Sequence, residues 1–415
     1  MLLSRRVRSQ LARARRNPAV VIGTNVTGLA EARTLAAFGV PVIGVDQRSR
    51  PPTSFSGAFA GLVITEAFES PELIGVLERL AEEIERPIAL FISTDEQVKL
   101  VADHGPGLAR RYRFDFPARD TVHTLMSKEA FSVLAQERGW PIPRTVWAAS
   151  LDELRQRLEQ VRWPVILKPR VKNLAFRSHA SQKAYRCADW DALARAYADV
   201  EPWEPEVVVQ EWISGADADV HFSFHYHTSE MAELCHFFGR KIRQWIPEVG
   251  STAASRPADA PPGLVSLSRD ILQAVECRGF GSVEYKRDAR TGRFLITEPT
   301  VGRVNLQVGT AIANGADLVV AAYCHVMGLA QPATAPPRRP VVWVYGKNDW
   351  RSFRYYRARG ELTWGEYWRS LRGPRTYAVW TAKDPMMLLR TVFDTARRVP
   401  RAILRRVRRL ASMIS

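Results

Sequence analysis

The chain has 415 residues, enough for two to four domains at roughly 100–200 residues each. Its apolar share of 46% and charged share of 25% fit a globular protein, and no apolar run is long enough for a transmembrane helix. The net charge of +16 points to nucleic acid only until it is located: six arginines fall in residues 1–17 and seven in 395–415, leaving +3 for the rest.

The N-terminus lacks the apolar core of a secretory signal. Cys187, Cys235, Cys277 and Cys324 are scattered with no C-x-x-C pair, which indicates neither a zinc site nor a disulfide framework and favours a reducing, cytosolic setting.

In chain order, residues 19–23 read as a buried strand, 27–38 as a helix ending at Gly39, and 40–46 as a second strand. This βαβ start favours a parallel sheet. A helix over 71–86 and a strand over 88–92 follow, then a helix cap at 93–96. A new unit begins near 121, with Ser127 capping a helix that runs to about Arg138. Strands are expected at 165–168 and 206–212, and half-buried antiparallel structure at 218–250. A helix over 263–277 precedes two strands, 280–286 and 293–299, joined by a turn at 288–292, and a helix over 305–314. Residues 331–340 (QPATAPPRRP) read as a Pro-rich linker. The domain plan is therefore a basic tail (1–17), a Rossmann-like domain (18–120), a two-lobed domain (121–330), a linker with an aromatic-rich region (331–394) and a basic amphipathic helix (395–415).

Several residues in this frame have the chemistry for transferring phosphate to a carboxylate. Such a reaction needs cations on the phosphates, a slot for a base, acids for Mg²⁺ and a positive group where oxyanion charge develops. Lys128 opens the helix after Ser127 and precedes Gly139-Trp140-Pro141-Ile142-Pro143; Lys168 ends the strand Pro164-Val165-Ile166-Leu167-Lys168-Pro169. Gln210-Glu211-Trp212-Ile213-Ser214-Gly215-Ala216-Asp217 ends another strand. Glu284 and Glu298 sit on the two strands of the hairpin, and Glu298-Pro299-Thr300-Val301-Gly302-Arg303 closes it.

In this order the segments resemble the ATP-grasp superfamily over residues 19–330. The resemblance implies an α/β protein in which a Rossmann-like parallel-sheet domain precedes an ATP-grasp fold of two α+β lobes. It implies Lys128 and Lys168 on the phosphates of ATP, Gln210, Glu211, Trp212 and Ile213 at the adenine, and Asp217 on the ribose hydroxyls. It implies Glu284, Glu298 and Thr300 as ligands of Mg²⁺ or Mn²⁺. Many members have Asn where Thr300 stands, and a Gly-rich loop where residues 170–182 contain no glycine; Arg170, Lys172, Arg177 or His179 would supply that cover here.

Gly239-Arg240-Lys241-Ile242-Arg243-Gln244 with Gly250-Ser251-Thr252, and the Thr-x-Gly-Arg ending with Gln307 and Asn314-Gly315, look similar to carboligases grouped with D-aspartate ligase. That narrower resemblance implies a carboxylate–amine ligase acting through an acyl phosphate, with a carboxylic acid and an amine as substrates. Several relatives in that grouping serve cell-envelope or polysaccharide chemistry. Lys241 and Arg243 would face the transferred phosphate, and Arg303 the tetrahedral oxyanion. The competing readings are an ATP-binding sensor or scaffold without catalysis and a carboxylate–thiol ligase.

Three other features were weighed. Gly23-Thr24-Asn25-Val26-Thr27-Gly28 with Asp46 lacks the G-x-G-x-x-G spacing of a dinucleotide site, so we read a structural turn, with Thr24, Asn25, Thr94 and Asp95 as substrate neighbours. His221, His225 and His227 share one face of a strand, and we read them as structural or substrate-adjacent rather than as a transition-metal site. The basic termini suit either an anionic membrane surface or docking on the protein by their apolar stripes. The expected location is cytoplasmic, at the inner membrane face if the termini bind lipid. RNA ranks lower because the C-terminal tail has no aromatic platform. A homodimer is compatible with the sequence.

Overall fold

The computed structural model describes residues 1–159, 161–170, 184–333, 335–382, 384 and 387. Lys172, Arg177, His179 and the 395–415 segment lie outside the described residues. The chain forms two compact units: the first takes Met1–Met126, Phe222–Val283 and the described residues from Pro299 on, and the second takes Ser127–His221 and Glu284–Glu298.

The first unit begins with helix α1 (Arg5–Arg13), strand β1 (Ala19–Ile22), α2 (Val26–Ala37), β2 (Val42–Asp46), β3 (Phe59–Ile64), α3 (Leu73–Ile84), β4 (Ile88–Ile92), α4 (Asp95–His104), β5 (Tyr112–Arg113) and α5 (Arg119–Met126). The five strands form a sheet in the order β3-β2-β1-β4-β5, and the pairs between neighbours are parallel. β1, β2 and β4 are buried at every position, the pattern of strands covered on both faces.

The N-terminal arginines belong to a docked helix. Leu3 and Leu11 are buried, and Val7 lies over Gly61 of β3, where a Cβ would come within 2.9 Å of it. The Leu3 amide donates to Glu83 Oε2 at 3.0 Å, and Arg86 donates to the Leu11 and Ala14 carbonyls at 2.7 and 3.1 Å. Of the two alternatives for residues 1–17, these contacts are those of docking on the protein itself, with Leu3 and Leu11 of the apolar stripe buried.

The second unit contains α6 (Lys128–Glu137), β6 (Thr145–Ala148), α7 (Leu151–Arg157), β7 (Val165–Pro169), β8 (Tyr185–Cys187), α8 (Trp190–Val200) and β9 (Val207–Glu211). Its sheet runs β6-β9-β7-β8, antiparallel throughout. Val165, Leu167, Val207 and Val209 point into a core with Leu154 of α7 and Leu193 of α8. By strand alternation Ile166, Lys168, Val208 and Gln210 point to the other face.

Next come β10 (Val220–His227), β11 (Glu233–Trp245), β12 (Ser251–Pro257), α9 (Leu264–Ala274), β13 (Gly279–Arg287) and β14 (Phe294–Val301). Then follow α10 (Val308–Ala313), α11 (Leu318–Val326), β15 (Val342–Val344), α12 (Gly346–Ala358), α13 (Trp364–Ser370) and β16 (Arg375–Tyr377). They give a seven-stranded sheet, β14-β13-β10-β11-β12-β15-β16. The chain passes between the units along β10, β13 and β14. The segment after the Pro-rich stretch does not stand apart. β15 pairs with β12, and Phe353, Tyr367 and Leu371 share a core with Ala254, Val342 and Val344.

Candidate functional site

The second unit carries most of the expected nucleotide contacts. Ser127 accepts from the Ala130 amide at 3.2 Å, so Lys128 occupies the first position of α6. Lys168 is directly opposite Val208, and Ile166 opposite Gln210. Lys168 and Gln210 therefore lie on the sheet face turned away from α7 and α8. Gln210 donates to the Thr145 hydroxyl at 2.9 Å, while Glu211 accepts from the Arg162 amide at 2.9 Å. Trp212 and Ile213 are each 8% exposed, and Asp217 is 4% exposed. Arg186 and Lys286 both lie over the Trp212 ring, at 4.9 and 5.1 Å.

The hairpin of β13 and β14 belongs to the same unit where it carries its acids. The Thr297 hydroxyl donates to Glu284 Oε1 at 3.3 Å, which sets Glu284 beside the residue preceding Glu298. Thr300 follows on β14, is buried, and belongs to the first unit. The turn is closed by Arg290, which sequence reasoning passed over. It contacts both Asp288 oxygens at 3.1 Å and donates to the Trp212 carbonyl at 2.9 Å, joining the hairpin to the end of β9. Arg170, one of four candidates for covering the phosphates, is held by Glu129 at 2.6 Å and Glu206 at 2.9 Å.

In the first unit the strand order reverses between β1 and β4, and the carboxyl ends of strands at such a switch point are the usual ligand position in open α/β sheets. Gly23 ends β1 at φ +88°, and Asn25 caps α2 by accepting from the Thr27 and Gly28 amides at 2.9 and 3.0 Å. Asp46 is used internally, accepting from the Thr24 amide at 2.8 Å, which fits the structural turn. Asp95 opens α4 and accepts from Arg303 Nε at 2.6 Å, so a guanidinium and a carboxylate meet beside Thr94, whose buried hydroxyl has no hydrogen-bond partner among the described residues. Glu31 of α2 is fully buried with neither carboxyl oxygen partnered among the described residues. Burial raises its pKa well above the usual carboxylate value, with Arg303 pulling weakly the other way.

Lys241 and Arg243 lie on β11, both buried. Lys241 donates to Gln244 at 2.9 Å. The Nε of Arg243 pairs with Asp349 at 2.6 Å, its Nη1 donates to Ser370 at 2.6 Å, and its guanidinium lies 4.8 Å from the Tyr367 ring centre. Asp349 is itself buried and also accepts from the Tyr367 hydroxyl at 3.0 Å. Two guanidinium nitrogens of Arg243 are thus held by α12 and α13, while Nη2 is buried without a hydrogen-bond partner among the described residues.

A parallel sheet followed along the chain by an antiparallel unit has counterparts among solved structures. An N5-carboxyaminoimidazole ribonucleotide synthetase in complex with ADP aligns with a TM-score of 0.58 at 12% identity, covering 78% of this chain and 80% of that one. The chain has an ATP-grasp fold. The N5-carboxyaminoimidazole synthase of Aspergillus clavatus, crystallised with ADP and 5-aminoimidazole ribonucleotide, aligns at a TM-score of 0.56 and 15% identity over 78% of this chain and 80% of its own. Phosphoribosylglycinamide synthetase of Anaerococcus prevotii aligns at 0.54 and 12% over 74% and 73%. No family model matches the ATP-grasp chain described here, and no curated protein sequence matches it.

Proposed function

We propose that the protein is an ATP-dependent carboxylate–amine ligase working through an acyl phosphate. The observation that carries this reading is the register of the second unit's sheet. It aligns Lys168 and Gln210 on the sheet face opposite the helical layer, within a fold shared with ligases crystallised with ADP. Lys128 and Lys168 would hold the phosphates, residues 210–213 the adenine and Asp217 the ribose.

The donor set of Glu284, Glu298 and Thr300 is all oxygen, which suits Mg²⁺ or Mn²⁺. Bound there, the ion would neutralise charge between the β- and γ-phosphates. A carboxylate oxygen of the acid attacks the γ-phosphorus, the bond to the β,γ-bridging oxygen breaks, and ADP leaves. The amine nitrogen then attacks the acyl carbon, phosphate departs with the bonding electrons, and the nitrogen loses a proton. Arg303 would stabilise the oxyanion of that second step, with Asp95 fixing its guanidinium.

The likeness of residues 239–252 and 300–315 to carboligases grouped with D-aspartate ligase supports an amino-acid-type substrate and a role in envelope or polysaccharide synthesis. No described helix is long and apolar enough to cross a membrane; the arginine-rich 395–415 sequence would bring the enzyme to an anionic surface.

The test is phosphate release from Mg-ATP with pools of amino and sugar acids, using hydroxylamine to trap the acyl phosphate. Glu298→Gln should lower substrate-dependent release by about 100-fold or more. ATP binding without turnover in any pool would favour a sensor instead, and no ATP binding at all would remove the proposal.

A further inference from the structure

A second cluster in the first unit has no part in this chemistry. Along β10, Phe222, Phe224 and Tyr226 enter the hydrophobic core, so by strand alternation His225 and His227 share the opposite face. Their rings are parallel to within 3°, with centres 5.9 Å apart. β11 follows and brings Glu233, whose Oε1 lies 2.6 Å from His225 Nδ1. One ligand atom from each of His225, His227 and Glu233 falls within 4.8 Å of the other two.

His225 and His227 are 1% and 0% exposed, yet His225 Nε2 and both nitrogens of His227 have no hydrogen-bond partner among the described residues. The Cys277 backbone approaches His227 without meeting hydrogen-bond geometry. Buried polar atoms are rarely left this way, since each has lost its water and gained nothing.

We propose that His225, His227 and Glu233 form a binding site for a divalent transition metal of the zinc class, separate from the Mg²⁺ site of the ligase. Two imidazoles on alternate residues of one strand plus a carboxylate from the next strand make a borderline-soft N₂O donor set. Zn²⁺ and Co²⁺ favour such a set, whereas Mg²⁺ prefers oxygen alone. Glu233 Oε2 is taken by Arg269, at 2.6 and 2.8 Å, leaving Oε1 to His225 and the metal. Metal–ligand distances of about 2.0–2.2 Å put tetrahedral ligand atoms about 3.4 Å apart, so the three side chains must close by up to about 1.4 Å on binding. Entry runs past Glu233, 17% exposed, and His236, 46% exposed. His236 stacks on His225 with ring centres 6.1 Å apart, and its Nδ1 is 3.4 Å from Glu233 Oε2, close enough to become a fourth ligand.

The test uses tag-free, full-length protein stripped with chelator and free of nucleotide, so its outcome is independent of ligase activity. Zn²⁺ retention after gel filtration is measured by elemental analysis, and Co²⁺ loading by its visible spectrum. Stoichiometric Zn²⁺ and a tetrahedral Co²⁺ spectrum are expected. His227→Phe keeps the bulk of the ring, removes both unpartnered nitrogens and should fold normally while losing the metal. Glu233→Gln should weaken affinity by roughly 10–100-fold. Failure of the native protein to retain Zn²⁺ would overturn the proposal, as would retention unchanged in His227→Phe.

Discussion

Glu31 has a cost that depends on pH. Its folded pKa is raised by burial above the ordinary 4.5, so the folded chain holds a proton that the unfolded chain releases. The sign follows: folding is least penalised below the unfolded pKa, and stability falls as pH rises from there toward the folded pKa. The slope is at most about 1.4 kcal/mol per pH unit. Glu31→Gln should therefore melt higher than the native chain at neutral pH, with the gap closing toward pH 4.5. Melting curves across that range check this, and a gap that does not vary with pH would refute it. Glu31 was not singled out from sequence, because one acid in a helix reads as surface by default. The pairing of Arg303 with Asp95 was equally hidden, joining residues 208 positions apart, although both residues were candidates on other grounds.

Among elements, β7 tests the site most directly because its two faces have different fates. Leu167 is fully buried against the helices, while its neighbour Lys168 points away from them. Leu167→Ala should cost about 2–5 kcal/mol in denaturant unfolding. Lys168→Ala should leave that curve nearly unchanged and raise the KM for ATP. Equal stability loss in both would contradict the alternation. The apolar run in β4, the helix ends at Ser127 and Gly39, and the 288–292 turn were all legible, since each has a strong local signal. β12 was not read as a strand. Its buried positions are Thr252, Ala253, Ala254 and Ser255, too small and polar to alternate, and they are covered because β12 lies between β11 and β15. The segment showed as a motif while its geometry stayed invisible.

At the scale of the molecule, the described part of the aromatic-rich region packs into the first unit. Residues 331–340 have linker composition, but β15 lies beside β12, and a buried ion pair ties α12 to β11. Asp349→Ala would leave the Arg243 guanidinium buried and unpaired, and should destabilise the protein by about 3–5 kcal/mol. Chemical denaturation measures this; a loss below about 1 kcal/mol would mean the pair is replaceable by water. The positive charge of Arg243, next to a phosphate-handling motif, suggested a ligand. Its partner, 106 residues later, could be found only once the sheet was assembled.

The second unit is built from two stretches of chain, Ser127–His221 and Glu284–Glu298, with residues of the first unit between them. On the ribosome, at about 5–20 residues per second, β9 and both lysines emerge some 3–13 seconds before the hairpin that carries the acids. A nascent chain can thus assemble the β6-β9-β7-β8 sheet while still missing Glu284 and Glu298. During that interval the second unit lacks its β13–β14 hairpin, so the unit is complete only once synthesis has passed Glu298, beyond the midpoint of the chain.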